Sequence, residues 1–187
     1  MSTLGQTPSQ TVGPYFGMRL AGHGQHVVAG PGTRGEHVHL EGCVFDGDGN
    51  FIEDALLELW QADPDGRYVT AATVAAGVRG FTGFGRAETA FDTGLYRFDT
   101  VRPGRVPAPG GGLQAPHLNL IVQARGALNP VFTRVYFADE DQANAEDPIL
   151  RSIAAPRRAT MLASRSGDTF RFDIRFQGAD ETVFLEF

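Results

Sequence analysis

Residues 168–178, DTFRFDIRFQG, constrain the fold more than any other stretch of this chain. Phe170, Phe172, Ile174 and Phe176 fall on every second residue, with Arg171, Asp173 and Arg175 between them. Successive side chains of a strand point to opposite faces, so a strict period of two predicts one face in a core and the other in water. The period recurs. HVHLEGCVF (37–45) puts Val38, Leu40 and Val44 on one face. ALLELWQ (55–61) groups Ala55, Leu57 and Leu59 opposite Leu56, Glu58 and Trp60. PHLNLIVQA (116–124) sets Leu118, Leu120 and Val122 against His117, Asn119 and Ile121.

Between these runs lie turn signals such as DGDGN, ADPDGRY and RPG, which draw on the 24 glycines and 11 prolines of the chain. Only 140–154 reads as helical, and Pro148 limits it. Short strands at this spacing predict an all-β fold, an antiparallel β-sandwich with one short helical segment. The 187 residues suit a single domain, 1–187. Within it, residues 1–17 read as an arm and 36–187 as the sandwich. Tyr15 and Phe16, the apolar end of the arm, predict that it docks on another surface.

Composition narrows the partners. The formal net charge of −6 argues against nucleic acid and anionic membrane. A lone cysteine, Cys43, forbids an internal disulfide and suits a reducing cytoplasm. The polar start, MSTLGQTPSQ, is not expected to be a signal peptide. No apolar run approaches the roughly 18 residues of a membrane helix.

Isolated motifs carry little chemistry. His37 and His39 have the two-apart spacing of metal ligands on a strand, but nothing in the sequence forces a third donor onto them, so they read as an exposed pair. His23 and His26 sit in Gly-rich text and read as solvated. Residues 139–147, DEDQANAED, lack the glycine-centred spacing of a calcium loop. Cys43 reads as a small core residue. Arg125, at the end of the strand carrying His117, could grip a carboxylate through two hydrogen bonds, or lie at a rim in water.

Four motifs in order, LEGCVFDGDG, LELWQADPDGRY, FTGFGRAETAFDTGLYRFDTVRPG and APHLNLIVQARG…FTRVYF, resemble the intradiol ring-cleavage dioxygenases over residues 36–137. TPSQTVGPYF, RVYFADEDQANAEDPIL and FRFDIRFQGADETVFLEF extend the likeness to nearly the whole chain, toward the alpha-type subunits of the family. Catalytic subunits there hold ferric iron through two tyrosines and two histidines, hard phenolates with imidazoles completing the shell. The resemblance puts the first tyrosine on Tyr68 and the first histidine on His117. Val106, in PGRVP, stands where the second tyrosine belongs, and Asn119 where the second histidine belongs.

With two donors gone, the chain is expected to hold no metal and to carry no catalytic residue, Tyr68, Val106, His117 and Asn119 being vestigial positions. The resemblance implies a hetero-oligomer of alpha–beta pairs with Fe(III) on the beta subunit. That assembly would use O2 to cleave protocatechuate (3,4-dihydroxybenzoate) to 3-carboxy-cis,cis-muconate. Thr11, Gly13, Pro14 and Tyr15 of the arm, together with Arg125, would line the partner's substrate pocket. The alternative is an iron-free β-sandwich binding or structural protein that reuses the scaffold and needs no partner.

Overall fold

The computed structural model describes residue 10 and residues 13–70 and 80–186. Among the described residues nine strands run β1 (His37–Phe45), β2 (Leu56–Gln61), β3 (Phe84–Glu88), β4 (Leu95–Val101), β5 (His117–Gln123), β6 (Val131–Phe137), β7 (Leu162–Ser166), β8 (Thr169–Arg171) and β9 (Ile174–Arg175). Their hydrogen-bonded order is β3-β2-β5-β6-β7-β8-β1-β4, with β9 beside β1. The two ends of this path, β3 and β4, touch, so the sheet curls around one core. The alternation read from the sequence builds that core. Val38, Leu40 and Val44 of β1, Leu57 and Leu59 of β2, and Leu118, Leu120 and Val122 of β5 are all buried in one cluster with Phe170 and Ile174. Each such side chain contributes about 1.5–3 kcal/mol relative to exposure.

The sandwich is not wholly antiparallel. β1 pairs in parallel with β8 and β9, and β6 with β7. Parallel neighbours need a crossover rather than a hairpin, and residues 138–161 supply one between β6 and β7. That crossover carries three short helices where the sequence predicts one segment: α1 (Asp141–Glu146), α2 (Pro148–Ser152) and α3 (Ala155–Arg158). Pro148 opens α2 instead of ending it, since a first-turn residue needs no amide partner. Asp147 caps α2 by accepting from the Ile149 and Leu150 amides, both at 2.9 Å.

The segment 168–178 splits into β8 and β9. At the break, the Tyr96 hydroxyl donates to the Phe172 carbonyl at 2.5 Å, and Asp173 Oδ1 accepts the Cys43 amide at 2.9 Å, replacing a backbone acceptor. Gly42 makes room for this: a Cβ there would lie 1.8 Å from the Phe172 oxygen. The turns form as their chemistry predicts. Asp46 Oδ1 accepts the amides of Asp48 and Asn50, and Asp63 Oδ1 those of Asp65 and Arg67.

Candidate functional site

The four vestigial positions come from three places in the chain. β5 carries His117 and Asn119. Tyr68 closes the turn after β2, where it bridges to Ala62. Val106 lies on the stretch between β4 and β5, buried, with its carbonyl accepting the Gln114 amide at 2.8 Å. Gly66 lets the Tyr68 turn press on the Val106 stretch: its φ is +77°, and a Cβ there would meet the Arg105 oxygen at 2.0 Å. The Gly104 amide, donating to the Asp63 carbonyl at 2.9 Å, ties the two together.

Two of the vestigial positions, Tyr68 and Asn119, are joined directly. Asn119 Nδ2 donates to the Tyr68 hydroxyl at 3.1 Å and to the Trp60 carbonyl at 3.3 Å. His117 is 2 % exposed and donates through Nδ1 to the Ala115 carbonyl at 2.8 Å. That tautomer leaves the lone pair on Nε2, which is buried without a hydrogen-bond partner. Burial first, and then the Arg134 charge, lower the imidazole from its ordinary value to about 4, so the ring is neutral at pH 7.

Arg134 is the residue the sequence reading missed. It lies opposite Asn119 in the β5–β6 register. Its Nε donates to Asn119 Oδ1 at 2.9 Å and its Nη1 to Gln114 Oε1 at 2.5 Å. A signal was present, a cation in the middle of the aromatic strand VFTRVYF, on the same face as Phe132 and Tyr136. Beneath it, Asp147 is fully buried and accepts four donors: the Ala115 amide at 2.8 Å, the Tyr136 hydroxyl at 3.1 Å and the two capped helix amides. Burial, then the Asp147 charge, push the Tyr136 phenol well above its usual range.

This donor set does not fit ferric iron. Val106 offers hydrocarbon, the Asn119 oxygen is taken by a guanidinium, and the Tyr68 oxygen already accepts a hydrogen bond. Only His117 Nε2 presents an unengaged donor, beside a fixed positive charge.

The expected substrate-pocket residues lie elsewhere. Gly13 has φ +56°, and its carbonyl accepts the Phe16 amide at 3.1 Å, which turns the chain into a π-helical segment, Phe16–Leu20. Tyr15, just before that segment, is 64 % exposed, and Pro14 is exposed. Thr11 lies outside the described residues. Arg125 donates from Nε and Nη2 to Asp54 Oδ2 at 3.0 and 2.6 Å, leaving Nη1 for another acceptor. His39 is half-buried and paired with Asp99 at 2.7 Å, and His37 bonds the Thr33 carbonyl at 2.8 Å. Neither joins a metal-ligand group among the described residues. Among them, too, no helix is long and apolar enough to cross a membrane.

Comparison with known proteins agrees with this architecture. A family model described as Dioxygenase matches residues 11–178. The chain is 48 % identical to the protocatechuate 3,4-dioxygenase alpha chain of Burkholderia cepacia, over all of both chains. It is 30 % identical to the beta chain from the same organism, over 79 % of this chain and 67 % of that one. Among solved structures, a dioxygenase domain from Streptomyces sp. SirexAA-E superposes with a TM-score of 0.64 at 25 % identity, covering 92 % of this chain and 99 % of that one.

Proposed function

We propose, from the premise that the chain belongs to the intradiol dioxygenase family, that it is the non-iron alpha subunit of a cytoplasmic protocatechuate 3,4-dioxygenase. It assembles with a beta subunit that carries the ferric iron, and the complex cleaves protocatechuate with O2 to 3-carboxy-cis,cis-muconate. The observation that carries this reading is the donor set at the family's ligand positions. One phenol and one imidazole remain, one position is hydrocarbon, and the last is an amide whose oxygen is bonded to Arg134. The likeness to an alpha chain over its full length, with a beta chain as a more distant relative, supports the pairing.

On this reading the partner's iron supplies Lewis-acid activation of the catechol. This chain supplies shape, water exclusion and contacts to the ring carboxylate. Tyr15, with its exposed hydroxyl, donates to that carboxylate. Gly13 and Pro14 set the backbone turn that presents it. Thr11 adds a hydroxyl, and Arg125 adds a guanidinium that is already half committed to Asp54. The arm, residues 1–17, therefore acts on the partner's pocket, and 36–187 is the supporting sandwich.

The test is co-expression. The full chain made alone should not consume protocatechuate, while the same chain with its beta subunit should form one complex by size exclusion and turn the substrate over. Ring cleavage by the chain alone, or failure to associate with any beta subunit, would overturn the assignment.

A further inference from the structure

We propose that Arg134 replaces the metal as the fixed cation of the vestigial site, so that this chain excludes iron by charge as well as by lost donors. The inference deepens the reading of the chain as a non-iron subunit and rests on it. In the family pattern the second histidine position faces the metal, and here that position, Asn119, points its carbonyl oxygen at Arg134 Nε, 2.9 Å away. The remaining amide hydrogens of Asn119 reach the Tyr68 hydroxyl and the Trp60 carbonyl. One side chain thus links a former ligand position to the new cation.

The arrangement is built rather than incidental. Arg134 is anchored by two neutral oxygens, from Asn119 and Gln114, and also acts on the Tyr136 phenol; no carboxylate among the described residues bonds it directly. It forms no direct ion pair among the described residues, in contrast to Arg86, Arg97, Arg102 and Arg165, each of which meets a carboxylate; the buried Asp147 nearby is held by Tyr136 and three backbone amides instead. A guanidinium stays charged across the pH range in which proteins fold. A metal cation approaching His117 Nε2 and the Tyr68 oxygen would meet that charge in a partly buried setting, where water screens it weakly. The same guanidinium satisfies the polar groups a departed metal would strand: Asn119 and Gln114 point acceptors at it, as buried polar atoms require a partner. Restoring the two missing donors should consequently not restore the metal while Arg134 stays.

The alpha–beta complex provides the test, read as iron per pair with assembly checked by size exclusion. Three alpha chains are compared with the unsubstituted one: V106Y with N119H, the same pair with R134Q, and the same pair with R134K. The R134Q combination should gain about one further iron per pair, and the other two should hold at least about 10-fold less of that added iron at matched free metal. R134M serves in place of R134Q if the glutamine variant does not assemble. Full added iron in V106Y/N119H alone, or none in an assembled R134Q or R134M combination, would overturn the proposal. Failure of both uncharged variants to assemble while R134K assembles would overturn it too, marking Arg134 as an indispensable brace. An extra iron in the unsubstituted complex would instead sink the non-iron reading itself.

Discussion

Between pH 7 and pH 5, acidification should destabilise this chain chiefly through His117. The folded ring has its proton affinity lowered to about 4 from an ordinary 6.5, chiefly by burial and then by Arg134, while the Ala115 carbonyl and Asp147 act weakly the other way. The unfolded chain takes up the proton below pH 6.5, whereas the folded chain refuses it until about pH 4. Stability contributed by the neutral ring is therefore fully present above pH 6.5 and is lost as pH falls toward 4. At about 1.4 kcal/mol per pKa unit, the gap caps the loss at about 3 kcal/mol, with about 2 kcal/mol gone by pH 5. Urea unfolding of the full chain at pH 7 and pH 5, beside H117Q, reads this directly. The parent should lose about 2 kcal/mol more than the variant between the two conditions. An equal loss in both proteins, or a His117 ring that titrates near 6.5 by NMR, would refute the argument that burial and Arg134 hold it neutral.

Other predictions concern packing, capping and substrate contact. G42A forces a Cβ to within 1.8 Å of the Phe172 oxygen, so it should cost about 3 kcal/mol or more in urea unfolding, and a loss under about 1 kcal/mol would show that the β1–β8–β9 junction yields easily. D147A strands the Ala115, Ile149 and Leu150 amides and the Tyr136 hydroxyl. At about 1–3 kcal/mol per unsatisfied group, chemical denaturation should register at least about 4 kcal/mol lost, with D147N in between because only one amide oxygen still accepts. In the alpha–beta complex, Y15F should raise KM for protocatechuate more than for catechol, which lacks the carboxylate; equal changes would remove Tyr15 from that contact.

What the sequence determined by itself was whatever depends on near neighbours. A period of two assigns faces without knowledge of the partner strand, so Leu118, Leu120 and Val122 could be placed in the core and His117 with Asn119 on the opposite face. Asp46 and Asp63 build their turns from amides two and four residues away, which is equally local. The emptied ligand positions, Val106 and Asn119, were readable only through the resemblance to the family, which says where donors belong; that a valine and an asparagine stand there is then plain from the sequence. Tertiary structure alone decided which strands run parallel, since the crossover between β6 and β7 joins residues far apart in the chain. It decided that the run 168–178 breaks at Phe172, because that depends on Tyr96 and Gly42. It also put Arg134 against Asn119 and Gln114. Register between β5 and β6 is set by packing across the whole sheet, and no local pattern encodes which cation will face which amide.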